Sequence, residues 1–206
     1  MPRQPTIVGN PVLMVIDIQK SAFLESQGDP GIPIMDGYSE RMKRARSLVD
    51  AAHENGIPVI FVQEIHRRDM IDYGRELDGS EGVHCMDGEP GTPVAFEEMG
   101  AQPGDYHVPK RRYSCFFGTE MEILLKGLKA ETLIFCGGMT DVCVHYSFVD
   151  GHQHDYYCRV VSDCVGGTSL AAHQASLNAM EYLQEGAVME AADMIAAMGS
   201  AKMAAE

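Results

Sequence analysis

The stretch Leu133 to Val144, LIFCGGMTDVCV, constrains the fold more than any other part of the chain. Leu133, Ile134, Phe135 and Cys136 form an apolar run with the length and composition of a buried strand. Gly137 and Gly138 break it, and glycine permits tight backbone geometry. Thr140 then predicts the N-cap of a helix through Asp141, Val142, Cys143 and Val144. In an open α/β sheet, ligands bind where a strand hands over to a helix in this way. Cys143 falls in the first turn of that helix. Unpaired N–H groups and the helix dipole favour negative charge there, and a thiolate is the nucleophilic form of cysteine. Most cysteines are small core residues, and the local pattern leaves both readings open.

The rest of the chain alternates in the same manner. Val12–Ile16 is a buried strand ending at Asp17, Ile18 and Gln19. Asp17 reads either as an acid at the functional edge of the sheet or as a capping, solvated side chain. Residues 25–38 are a loop rich in Gly, Pro and Asp. A helix spans Ser39–Asn55, with Met42, Ala45, Leu48, Val49 and Ala52 at helical spacing and Gly56 as its stop. Ile57–Val62 is the second strand. Tyr106–Pro109 is a short strand leading to Lys110, and Thr119 starts the next helix. The Thr140 helix runs to about Asp155. Tyr157–Ser162 is a further strand, and Thr168 or Ser169 caps a helix to Gln184. Ala187–Met189 is a last short strand, and residues 190–199 form a terminal helix before a frayed tail. Near-continuous apolar strands alternating with helices mean a parallel sheet covered on both faces. With 206 residues the expectation is one domain, with residues 1–11 as an arm and 190–206 as helix and tail.

Charge and composition exclude several classes. The net charge, 16 − 30 = −14, argues against nucleic acid and anionic membranes as partners. No run of 18 apolar residues is present, and MPRQPTIVGNP lacks the apolar core of a signal peptide. The expected compartment is the cytosol, where cysteines stay reduced. The six cysteines contain no CxxC pair, so a disulfide scaffold or closed zinc knuckle is not expected.

Two further groups of side chains stand out. Residues 63–104 form a long irregular loop, and such loops are usually functional or disordered. Glu64, His66 and His84 in it offer three metal ligands or are solvated loop side chains, and spacing alone favours the second. His145, His152 and His154 read as ordinary helix histidines. Lys110, beside Tyr113, Phe116 and Phe117, reads equally as a pocket wall or as a solvated basic turn next to core aromatics.

Three separated motifs agree: Asp17 in VIDIQ, Lys110 in VPKRRYSCFFGTE and Cys143 in CGGMTDVCV. In this order and spacing they resemble the cysteine-hydrolase branch of the isochorismatase-like family, from about Val12 to Val188. That branch includes nicotinamidases, N-carbamoylsarcosine amidases, biuret hydrolases and ureidoacrylate amidohydrolases. The resemblance implies a three-layer αβα fold with a mostly parallel sheet of about six strands, assembled as a homodimer or homotetramer. It implies Cys143 as nucleophile, Asp17 as proton acceptor and donor, and Lys110 as the cation that lowers the thiol pKa. It also implies an oxyanion hole from the N–H groups of Met139 and Cys143, and a cis peptide between Gly138 and Met139.

Departures from the family pattern bear on substrate. Nicotinamidases carry Asp-x-His and a later His as metal ligands, where this chain has Glu64, His66 and His84. The nicotinamidase Trp is absent, since the chain has none. The resemblance therefore implies, first, a thiol amidohydrolase that releases ammonia from a small carbamoyl or linear amide, with no cofactor required. A metal-assisted nicotinamidase holding a divalent ion such as zinc is the second reading, and a non-catalytic binding scaffold the third. A redox-sensing thiol protein is a fourth, although Cys143 has no resolving cysteine nearby in sequence. Tyr113, Phe116 and Phe117 are the expected pocket walls. Arg75 either binds a substrate carboxylate or pairs with Glu76 or Asp78 on the loop surface.

Overall fold

The computed structural model describes residues 5–24 and 31–205. Six strands form one sheet: β1 (Pro11–Ile16), β2 (Val59–Glu64), β3 (Tyr106–Lys110), β4 (Thr132–Gly138), β5 (Tyr157–Gly166) and β6 (Val188–Met189). Five α-helices accompany them: α1 (Tyr38–Glu54), α2 (Met121–Gly127), α3 (Cys143–Gln153), α4 (Leu170–Leu183) and α5 (Ala191–Ala205). The strand order is β3-β2-β1-β4-β5-β6, and every neighbouring pair is parallel. The chain winds outward in one direction through β2 and β3 and in the other through β5 and β6. The order therefore reverses between β1 and β4, and a crevice opens there at the strands' C-terminal ends.

The period of two along β1 divides the core. Leu13 and Val15 face the side covered by α1 and α5, where they meet Met42, Leu48 and Met194. Val12, Met14 and Ile16 face the opposite side, with Leu125 of α2, Phe148 of α3 and Leu177 of α4. The predicted stripe of α1 is buried at all five positions, Met42, Ala45, Leu48, Val49 and Ala52.

Several boundaries differ from those read in the sequence. The second strand lies two residues later, at Val59–Glu64, so Glu64 ends a strand and does not open a loop. The fifth strand runs through Asp163 and Cys164 to Gly166. Thr140 does not cap α3: it is fully buried, its hydroxyl lies 2.9 Å from His173 Nδ1, and the helix begins at Cys143 behind Val142. Thr119 stands before α2, which starts at Met121, and its Oγ1 accepts from the Met121 N–H at 3.2 Å. Ser169 does cap α4, accepting from the Ala172 N–H. α5 continues into the stretch expected to fray. Residues 1–4 of the predicted arm and 25–30 of the predicted loop lie outside the described residues.

Candidate active site

Four strand ends supply the polar groups of the crevice. Asp17 follows β1, Glu64 ends β2, Lys110 ends β3, and Cys143 opens α3 just beyond β4. Sheet register explains why they meet. Glu64 and Lys110 are directly paired across β2 and β3, while Ile16 pairs with Val62 on one side and Gly137 on the other. Lys110 Nζ lies 2.8 Å from Asp17 Oδ2 and 3.4 Å from Cys143 Sγ, and it donates to Glu64 Oε2. The Cys143 thiol donates to the same Glu64 oxygen at 3.3 Å. The Glu64 N–H donates to Asp17 Oδ1 at 2.8 Å. Asp17 has φ +49°, an uncommon conformation for a residue with a side chain. Such outliers cluster at functional sites.

Burial and mutual charge set the protonation states. Burial raises the Asp17 carboxyl to about 6; Lys110 opposes this and Glu64 adds to it. Burial acts the same way on Glu64, but Lys110, His66 and His84 outweigh it and hold that carboxyl well below its usual range. Lys110 stays charged against burial because Asp17, Cys143 and Glu64 surround it. Burial pushes the Cys143 thiol well above its ordinary value; Lys110 pulls it down, and the two carboxylates oppose Lys110. A resting thiolate, expected from a helix start beside a cation, is therefore not what this geometry favours.

The turn after β4 requires its glycines. Gly137 has φ +113°, and a Cβ there would lie 1.9 Å from the Ile16 carbonyl oxygen. A Cβ on Gly138 would lie 2.2 Å from the Tyr38 hydroxyl oxygen. The Gly138–Met139 peptide is cis, as the family resemblance implied. The Met139 carbonyl accepts from the N–H groups of Val142 and Val144, at 3.0 and 3.1 Å. The Cys143 N–H between them is not among its donors.

A pocket with a water-accessible volume of about 40 Å³ opens onto Cys143. Asp17, Glu64, Met139 and Cys143 contribute to its floor, while Ile32, Ile34, Glu81 and Tyr113 line it from the loops.

Behind Glu64 lies a second polar cluster. Glu64, His66, Glu76 and His84 are all buried, and one ligand atom from each lies within 4.8 Å of the others. Neither ring nitrogen of His66 and neither carboxylate oxygen of Glu76 has a hydrogen-bond partner among the described residues. Close ion-pair approaches exist instead: His66 Nε2 is 3.2 Å from Glu76 Oε2 and 3.5 Å from Glu64 Oε1. His84 Nδ1 donates to the Gly82 carbonyl at 2.7 Å, which turns Nε2 toward Glu64 Oε1 at 2.9 Å. A tetrahedral zinc with bonds of about 2.0–2.1 Å separates its ligand atoms by roughly 3.3 Å. The donor types, the orphaned atoms and the spacings thus fit a divalent ion held by Glu64, His66, Glu76 and His84. Burial of these groups also overturns the reading of them as solvated loop side chains. Without an ion, burial lowers the His66 pKa, but Glu64 and Glu76 prevail and raise it to about 9.

Other predicted residues divide. Tyr113 lines the pocket, but Phe116 stacks on His154 and Phe117 is exposed, so neither forms its wall. Arg75 is 93% exposed, pairs with Asp78 at 2.6 Å and does not line the pocket, which is the surface alternative. Sequence reading missed Glu76, Glu81 and Tyr38. The first two sit in the aperiodic 63–104 loop, where spacing carries no signal; Tyr38 is a helix residue whose hydroxyl happens to meet the glycine turn.

The isochorismatase domain pattern matches residues 11–193. The chain belongs to the isochorismatase family. Among relatives in the family, the ureidoacrylate amidohydrolase RutB of Azorhizobium caulinodans is 28% identical over 193 residues, covering 85% of this chain and 80% of that protein. The cysteine hydrolase of Pseudomonas syringae pv. phaseolicola superposes with a TM-score of 0.80 at 25% identity, covering 98% and 96% of the two chains. A pyrazinamidase of Pyrococcus horikoshii, solved in complex with zinc, superposes at 0.73 with 20% identity, covering 88% and 98%. This isochorismatase-family chain has the six-stranded parallel sheet and flanking helices of its structural neighbours. Among the described residues, no helix is long and apolar enough to cross a membrane.

Proposed function

We propose that the protein is a thiol amidohydrolase that cleaves a small carbamoyl or linear amide through a Cys143 thioester and releases ammonia. The observation that carries this reading is the approach of Lys110 Nζ to both Asp17 Oδ2 and Cys143 Sγ, at 2.8 and 3.4 Å, beneath a small pocket. Family membership and the amide-hydrolase names of relatives such as RutB support it.

Two carboxylates face the thiol, and their environments push them apart in basicity, a pattern that separates acid–base roles. Glu64 is a weak base because Lys110 and two histidines satisfy it. Asp17, raised to about 6, is better matched to accept a proton near neutrality. Asp17 takes the Cys143 proton, and the thiolate sulfur attacks the amide carbon as the C=O π pair moves to oxygen. The N–H groups of Met139 and Cys143 receive that oxyanion, and Lys110 holds Asp17 and the sulfur in place. Collapse breaks the C–N bond, Asp17 returns its proton to the leaving nitrogen, and ammonia departs. Water then gives a proton to Asp17 as its oxygen adds to the thioester. The second collapse breaks the C–S bond, and the sulfur recovers the proton from Asp17. An ion held by Glu64, His66, Glu76 and His84 would supply Lewis acidity beside the pocket.

The metal-capable cluster keeps a metal-assisted nicotinamidase as the second reading. Ammonia release from N-carbamoyl amino acids and their neutral analogues, biuret, ureidoacrylate, maleamate and nicotinamide tests both. Turnover of a carbamoyl or linear amide without chelator sensitivity supports the first reading. Preference for nicotinamide with loss of activity in chelator supports the second. No release from any member removes both and favours a binding scaffold. The protein acts without nucleic acid or membrane, on a small molecule, in the cytoplasm, as a homodimer or homotetramer.

A further inference from the structure

The charged side chains lining the Cys143 pocket are Asp17, Glu64, Glu81 and His84; no Lys or Arg lines it among the described residues. Lys110 is buried, with Asp17, Glu64 and Cys143 as its partners. The arginines nearest in sequence are engaged elsewhere. Arg75 pairs with Asp78 at the surface, Arg111 donates to the Ile65 carbonyl and pairs with Asp72, and Arg112 donates to the Asp72 and Arg111 carbonyls.

Glu81 is the acid of this set that the chemistry does not use. The Tyr113 hydroxyl donates to its Oε2 at 2.8 Å, and the Tyr113 ring is in turn stacked on Tyr146 with centroids 5.9 Å apart. Oε1 has no donor among the described residues. The carboxylate is thus held in place with one oxygen available to a pocket occupant. Fixed acceptors reward a donor and leave an incoming carboxylate unpaired beside a like charge, which is how a site rejects as well as selects.

We propose that Glu81, positioned by Tyr113, is the specificity determinant of this pocket, selecting amides whose tail beyond the scissile bond is a cationic or neutral hydrogen-bond donor and rejecting carboxylate tails. This rests on the amidohydrolase reading for the reaction, and it departs from a carboxylate-tailed substrate such as ureidoacrylate. Aminoalkyl ureas and small ureas with amide tails are the class it fits.

Three ureas of matched length test it: 2-aminoethylurea, N-carbamoylglycinamide and N-carbamoylglycine, as cation, neutral and anion. Ammonia release gives kcat/KM for the native protein, Glu81→Gln, Glu81→Lys and Tyr113→Phe. Calorimetric binding of the same ureas to Cys143→Ala reads recognition without turnover. The native protein should favour cation over anion by tenfold or more. Glu81→Gln should shrink that ratio at least tenfold, chiefly through KM, Glu81→Lys should invert it, and Tyr113→Phe should narrow it. A native preference for the anion, or a ratio unmoved in folded Glu81→Gln, overturns the proposal, as does failure of all three ureas to bind. If none is hydrolysed but binding to Cys143→Ala keeps the order cation, neutral, anion, the hydrolase reading falls and the selectivity stands.

Discussion

Glu64 Oε2 lies 3.3 Å from Cys143 Sγ, while the other oxygen of the same carboxylate, Oε1, lies 2.9 Å from His84 Nε2. One side chain therefore joins the surroundings of Cys143 to the metal-capable cluster. Glu64 and Asp17 are distinguished by their partners, and replacing them should have different consequences. Asp17→Asn removes the proposed base and should lower kcat by about 10²–10⁴. Glu64→Gln removes a charge that raises the Asp17 pKa, so a smaller loss of kcat with an acid limb moved to lower pH is expected. Steady-state pH profiles of both variants check this; an Asp17→Asn protein of near-native kcat would contradict it.

The pH profile of the native protein follows from the same group. In the proposed mechanism Asp17 accepts the thiol proton only when ionised, and burial raises its pKa to about 6. Below that pH the base is protonated and kcat/KM should fall tenfold per unit; above it the profile should level. Absence of an acid limb between about pH 5 and 7 would assign the base elsewhere.

The glycine turn makes a stability prediction. Gly137→Ala brings a Cβ against a backbone carbonyl at a positive φ and should cost about 2–3 kcal/mol or more in urea unfolding. At Gly138 the obstacle is the end of the Tyr38 side chain. Gly138→Ala should therefore be partly rescued by Tyr38→Phe, whereas the same second change should not rescue Gly137→Ala.

Metal binding is separable from activity. If the buried cluster holds zinc, the ion should raise Tm, by the equivalent of about 2.7 kcal/mol at a free concentration 100-fold above Kd. His66→Ala and Glu76→Gln should each abolish the shift and the metal content seen by elemental analysis. An unchanged Tm and metal-free native protein would leave His66 as a buried imidazolium neutralising Glu64 and Glu76.

The sheet was legible in the sequence because its strands are unbroken apolar runs such as Val12–Ile16 and Leu133–Cys136, buried throughout. Asp17 and Lys110 stand at the ends of runs that periodicity could locate, and Cys143 opens the helix after one. Their selection as a set rests on the resemblance to the isochorismatase-like family, since local rules leave a bland alternative open at each. Thr140 misled because its hydroxyl is taken by His173, a tertiary partner that no local cap rule includes. Arg75, Glu76 and Glu81 lie within six residues of one another in a loop without periodicity. Their separate fates, at the surface, in the cluster and at the pocket wall, depend on how residues 63–104 fold back over the strand ends. The basicity of the thiol was also beyond local rules: helix start and cation point one way, while burial and two carboxylates point the other.

The most direct test of covalent catalysis at Cys143 is rapid acid quench during turnover of whichever amide the panel identifies, followed by intact and peptide mass analysis. The expected result is a transient acyl adduct on Cys143 that hydroxylamine releases, absent in Cys143→Ala, with the other five cysteines unmodified. Sustained turnover by Cys143→Ala, or an adduct on another residue, would contradict the account.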